Sequence, residues 1–424
     1  MSRRPLALSA AIVIVVIATP LAAASGGELD KAFGRDGHVV TDLGANAEAG
    51  AIALEPDGKI IVGASSLRGD LILARYGDGG TLDTTFGREG SVVTDLGGTD
   101  GLADLAVQRG GRIVVAGVDF DVGTSFLLRY RPDGSLDPTF GGEGKIAFAA
   151  AAVSSVLARA NGKVVVVGTS GRESFVLARY EAGGSLDRSF GHGGKVVTAV
   201  GGPRRFPARA SGAAFAPDGK IVVAGSRMHP DKRSSADGLP FSMIVARYRA
   251  DGRLDRSFGR RGVVTVDLRP HDSSIGDVVV LRDGRILVAG HGHPGPGTAG
   301  GPAVWCFRRT GALDRSFGTR GKAVIGNDGG VATALGVDRT GRIVVVGRGG
   351  LSLGDFLVAR LNASGRPDRS FGGDGVVTTD FGGVDTPWAM TLEPNRDVLA
   401  AGGTGAELGR QGVRMIAIAR YLGR

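Results

Sequence analysis

Cysteine is almost absent. Cys306 is the single copy in 424 residues, so no intramolecular disulfide can form and packing alone must hold the fold. Aromatic residues make up only 6% of the chain, with two tryptophans, too few to interleave exposed rings with basic side chains. Nucleic acid is therefore not an expected partner. After the first 24 residues no second apolar run is long enough to cross a membrane. The sequence also lacks the nucleophile elbow GxSxG, the zinc helix motif HExxH and the phosphate loop GxxxxGK followed by Ser or Thr. These absences leave no catalytic motif and no cofactor to expect. Helices are excluded as well, because glycine interrupts the apolar runs every ten residues or so.

What is abundant is glycine, at 74 residues, more than twice the usual share of about 7%. With 42% hydrophobic and 22% charged residues the chain is globular, so the glycines belong to turns between many short strands. The N-terminus places Arg3 and Arg4 before an apolar run from Leu6 to Leu21, then Ala22–Ala24. This reads as a secretory signal over residues 1–24, with an uncleaved membrane anchor as the alternative and a weak likeness to a twin-arginine signal. The expected location is secreted or cell-surface, with membrane contact only through a retained signal. Cleavage lowers the formal net charge of +9 by two, through Arg3 and Arg4, and the remainder is still basic. Basic charge outside a cell suits an anionic surface polymer, glycan or protein as partner, and equally suits mere solubility.

The rest of the chain, 25–424, repeats. "LDRSFG" stands at 186–191, 254–259 and 313–318, with relatives at 29–34, 82–87, 136–141 and 367–372. Between copies come a turn and strand ("PDGKIIVGAS" from Pro56, "PDGKIVVAG" from Pro217) and then a strand ending in "ARY" ("LILARY" from Leu71, "MIVARY" from Met243). Each repeat resolves into four strands, in the second repeat 91–96, 102–108, 112–117 and 125–130. All four are expected to be buried on both faces, from their Val, Ile, Leu and Phe content. Seven tandem four-stranded antiparallel sheets predict an all-β, seven-bladed β-propeller. The N-terminal strand "HVVTDL" (38–43) is expected to complete the last blade and close the ring into a monomer. An open solenoid is the alternative, but it needs polar caps that the termini do not supply.

The ordered recurrence of "PDGKIVVAG", "ARY" and "GSLD-x-x-FG-x-x-G" over residues 27–424 resembles the delta-60 repeat of bacterial proteins. The resemblance implies a propeller-like fold in an exported or surface protein. It implies no activity, since the family has no agreed chemistry. Arginines 75, 129, 179, 247 and 360 each precede a motif aspartate by eight residues, while Arg420 can meet Asp30 only through ring closure. Each pair is expected to bridge a loop, the carboxylate also capping the following turn, with the motif phenylalanine wedged between blades. Calcium at these aspartates is the rival reading, and it lacks the dense oxygen ligands calcium needs. In the fifth repeat Cys306 takes the place of the arginine, in a core strand beside Trp305, where a small buried apolar residue is expected and not a reactive thiol.

If repetition is architecture, function is expected where it breaks. The fourth and fifth repeats carry enlarged loops at 201–212, 226–240, 269–277 and 291–302, all expected on one face of the ring. They hold a basic patch (Arg204, Arg205, Arg209, Arg227, Lys232, Arg233) and four of the six histidines (His229, His271, His291, His293), with Asp272 beside His271. The expected role is a binding or interaction module using these residues. The alternatives are a hydrolase or lyase of extracellular glycans built on His271, Asp272, His291 and His293, and a purely structural surface protein. No regular metal-ligand spacing is present, and no metal is expected.

Overall fold

The computed structural model describes residues 26–149, 152–171, 173–202, 207–228, 241–268, 274–294, 298–326, 329–350, 354–405 and 413–424. Among them, 28 strands form seven four-stranded antiparallel sheets, the blades of a closed propeller. Blade 1 runs outward through Ala47–Leu54, Ile60–Ser66, Leu71–Tyr76 and Ser91–Thr94. Blade 7 runs through Thr386–Leu392, Val398–Gly405 and Arg414–Tyr421, and its outer strand is His38–Thr41 from the other end of the chain. The predicted closure is therefore present, with His38 opposite Ala419 and Thr41 opposite Ile416.

Two expectations need adjustment. Ser91–Thr94, grouped by repeat with the strands that follow it, belongs to the sheet before it, so blade and sequence repeat are one strand out of phase. Burial on both faces holds for the two middle strands, as in Leu71–Tyr76, but not for the outer ones. An outer strand has no neighbour beyond it, and side chains such as Val93 and Val197 stay exposed.

The six-residue motif is the joint between blades. All seven motif phenylalanines are buried. The ring of Phe86 lies under the Arg75 guanidinium, 4.7 Å away, and the same stacking recurs at Phe33, Phe140, Phe190, Phe258 and Phe371. Arg75 Nε lies 2.9 Å from the Asp83 carboxylate while its Nη1 donates to the Pro132 carbonyl of the next blade. Arg129, Arg179, Arg247 and Arg360 repeat both contacts, and Arg420 meets Asp30 at 3.4 Å. Each aspartate also accepts the backbone N–H two residues on, as Asp83 does from Thr85 at 3.1 Å. The motif glycine then bonds across the seam: Gly87 N–H donates to Asp133 O, and at the closure Gly372 N–H donates to Gly26 O.

These joints need glycine on the receiving side. Gly134 has φ +90°, and a Cβ there would lie 2.7 Å from Val92 Cγ2 and 3.2 Å from the Phe86 ring. The joint between blades 5 and 6 is built differently. Cys306 occupies the arginine position, and Arg285, from the turn preceding the neighbouring strand, sends Nη1 to Ala363 O of the next blade at 3.4 Å. Cys306 is fully buried, and burial raises its thiol to about 11, so it is a packing residue as expected.

Candidate functional site

Seven innermost strands surround the central channel: Ala47–Leu54, Asp100–Val107, Ala152–Ala158, Ala208–Phe215, Ile275–Val280, Gly330–Val337 and Thr386–Leu392. Each carries a β-bulge at the same height. The bulge turns an extra residue into the lumen. Six blades place a small residue there: Gly50, Ala103, Ser154, Ser211, Gly276 and Thr333. Blade 7 places Trp388. The resulting cavity of about 680 Å³ opens on the face where the chain enters each inner strand.

At its mouth, on the seam of blades 7 and 1, Glu48 organises a polar cluster. It accepts hydrogen bonds from Trp388 Nε1 at 2.6 Å, from the Thr386 hydroxyl, and from Arg414 Nη1 at 3.3 Å. Asn46 Oδ1 accepts from the Arg414 backbone N–H at 3.1 Å. The indole is pinned at its nitrogen while half its surface stays open, at 50% exposure. That is the form of an aromatic platform flanked by a carboxylate and a guanidinium.

Two further carboxyls sit deeper, on opposite sides of the ring. Asp104 accepts from Val156 N–H at 2.8 Å and Ser155 Oγ at 3.1 Å, both on the next blade. Asp277 accepts from Leu335 N–H at 3.0 Å, again across a seam. Both are partly accessible from the lumen, yet enclosure by protein pushes Asp104 up to about 7 and Asp277 up to about 6. The backbone donors oppose that rise without cancelling it.

A second cleft of about 800 Å³ opens on the same face across blades 2, 3 and 4, lined by Phe120, Val118, Pro207, Met228 and Arg209. Exposed large apolar side chains gather on this face: Leu67, Phe120, Val122, Trp388 and Val413, against Val40, Val93 and Val197 on outer strands.

The residues singled out from sequence are dispersed between these features. Arg209 is exposed at the second cleft. Arg227, on the neighbouring strand, is half-buried and donates to Val200 O at 3.2 Å, so it serves packing at least as much as a surface patch. His291 and His293 do meet, Nε2 to Nε2 at 3.1 Å. Each ring holds its other nitrogen on a backbone carbonyl, His291 on Gly330 O at 2.6 Å and His293 on Thr298 O at 2.7 Å. Each Nδ1 thus faces a carbonyl acceptor, and the two Nε2 atoms face each other. Arg204, Arg205, His229, Lys232, Arg233, His271 and Asp272 lie outside the described residues. Glu48, Trp388 and Arg414 were missed by sequence reasoning. The signal was present: aligned by repeat, Trp388 is the one bulky residue at a position otherwise small.

Strand order, blade count and joint chemistry define a seven-bladed propeller assembled from one repeated unit. Five segments, 55–86, 108–140, 159–190, 281–317 and 339–371, match a β-propeller domain of unknown function, DUF5122, in keeping with the propeller fold seen here. No curated protein matches the sequence. Among solved structures, it is similar to a protein of unknown function from Dyadobacter fermentans (14% identity, TM-score 0.47, covering 92% of this chain and 98% of that one). It is similar also to YCF48 from Cyanidioschyzon merolae (10%, 0.48, covering 90% and 98%) and to Drosophila Plexin A in complex with Semaphorin 1b (9%, 0.44, covering 93% and 88%).

Proposed function

We propose that this chain is an exported binding module of the delta-60 repeat type, whose channel-mouth face takes an anionic surface glycan. The observation that carries the reading is the gathering of exposed apolar and aromatic side chains on that face, around Trp388 and Phe120. Several exposed apolar side chains on one face favour contact there, and a half-open indole beside Glu48 and Arg414 suits the apolar face and hydroxyls of a sugar ring. The net charge, +9 for the full sequence and still basic without Arg3 and Arg4, favours an acidic polymer over a neutral one. Export rests on the N-terminal apolar run.

Titrating the protein with alginate, polygalacturonate and a neutral glucan in a calorimeter, a readout that does not depend on the indole itself, tests this. Binding is expected for the acidic polymers, weakened about tenfold by Trp388→Ala, equivalent to roughly 1.4 kcal/mol. Binding to none of the three, or binding indifferent to Trp388→Ala, overturns the reading. The glycan lyase or hydrolase alternative draws on the His291–His293 pair at the same rim. Appearance of cleaved product, lost in His291→Ala, would move that alternative to the front.

A further inference from the structure

At the seam of blades 6 and 7, on the same face, three carboxylates converge. Asp355 precedes the strand Phe356–Leu361, Asp380 follows Val376–Thr379, and Asp385 precedes Thr386–Leu392. One oxygen from each lies within 4.8 Å of the others. Asp380 uses Oδ1 to accept from Gly382 N–H at 2.7 Å, and Asp385 uses Oδ2 to accept from Phe381 N–H at 2.7 Å. Asp385 is fully buried, and its second oxygen has no hydrogen-bond partner. A buried carboxylate with one oxygen free of hydrogen bonds, gathered with two more carboxylates, is a costly arrangement unless a cation sits among them.

We propose that Asp355, Asp380 and Asp385 form a divalent-cation site of calcium type. All three ligands are hard carboxylate oxygens, and no histidine or cysteine joins them, which suits calcium over zinc. The Thr404 hydroxyl donates towards the Asp385 carboxylate and favours its ionised form.

The seam of blades 1 and 2 serves as an internal comparison. "DLGGTD" at 95–100 matches "DFGGVD" at 380–385, and Asp70 matches Asp355. There, however, Asp70 is engaged by Ser66, whose hydroxyl donates to it at 3.3 Å, and the three aspartates do not converge. The sequence pattern is thus shared while the convergent geometry belongs to blades 6 and 7 among the described residues.

The test is calorimetric titration of the chelator-stripped full chain with Ca²⁺ near neutral pH, paired with thermal melts in Ca²⁺ and in EDTA. Binding is expected, with a melting temperature several degrees higher in Ca²⁺. Asp380→Asn, at an exposed position where the amide oxygen can keep the Gly382 turn, should weaken binding at least tenfold while the melt in EDTA stays near that of the parent. Asp385→Asn should abolish the calcium response. If the parent gives no heat with Ca²⁺ and melts identically in Ca²⁺ and EDTA, the site is overturned. Calcium binding that survives both substitutions overturns it equally.

Discussion

At the scale of single residues, two sets of aspartates answer pH in opposite senses. In the motif loops, burial would raise Asp255, but hydrogen bonds from Ser257 and the charges of Arg247 and Lys220 outweigh it and bring the group down to about 2. Its folded value lies below the ordinary 3.8, so it adds stability above that value and loses it as pH falls through about 2. Asp137, Asp187, Asp314 and Asp368 are lowered too and act in the same window. Asp104 and Asp277 are raised, to about 7 and about 6, so folding is favoured below the ordinary 3.8 and loses that favour as pH climbs through those values. Stability should therefore rise up to about pH 4 and sag from there towards neutrality. The double substitution Asp104→Asn, Asp277→Asn should flatten the sag, by on the order of 1 kcal/mol per site allowing for water in the lumen. Urea midpoints of parent and double variant across that range decide it; parallel curves refute the assignment. At the same scale, Phe258→Ala empties a fully buried wedge and should cost roughly 3–5 kcal/mol, read as a lower urea midpoint at unchanged slope.

At the scale of elements, six of the seven joints use an arginine at the end of a blade's third strand, and the joint after blade 5 does not. The recurring Arg–Asp spacing, the capping of the turn and the phenylalanine wedge were all legible, because an eight-residue interval repeated five times leaves little else for those residues to do. The replacement at Cys306 was legible as well. What filled the gap was not, since Arg285 looks in the sequence like the Lys59 or Arg112 of other repeats, which bond Asp83 and Asp137. Only packing beside a small buried Cys306 frees space for the Arg285 guanidinium to reach Ala363 O. That contact is longer than the arginine bonds it replaces, and Arg285 pairs with exposed Asp283 and not with a buried motif aspartate. The seam of blades 5 and 6 should consequently open more readily than its neighbours. In hydrogen exchange, amides of Gly318 and Gly365 should lose protection before those of Gly191 and Gly252, and Arg285→Ala should widen the difference. Uniform exchange across the seams, unchanged in Arg285→Ala, would mean that the substitution is neutral to the joint.

At the scale of the whole molecule, the ring was legible from the phase of the repeats, because a strand before the first complete unit and a missing one in the last can be reconciled only by closure. The candidate site was much less so. Enlarged loops in repeats four and five drew attention to one arc, while the ordered cluster of Glu48, Trp388 and Arg414 sits on the other side, where the two ends of the chain meet. Its residues come from positions 48, 388 and 414, which only ring closure brings together. Closure therefore positions that site as well as completing the fold. A chain beginning at residue 44 should lose the ladder His38–Thr41, the Phe33 wedge and the Gly26 acceptor, leaving Arg414–Tyr421 as an open edge. Compared with a chain beginning at residue 26, it should melt roughly 5–10 °C lower and self-associate through that edge, as seen by light scattering. It should also lose the proposed glycan binding, even though Trp388 remains in the sequence, because Glu48 and Arg414 would no longer be held in register beside it. A truncated chain that stays monomeric with an unchanged melt would show that six and three-quarter blades close without the clasp, and that the channel mouth does not depend on it.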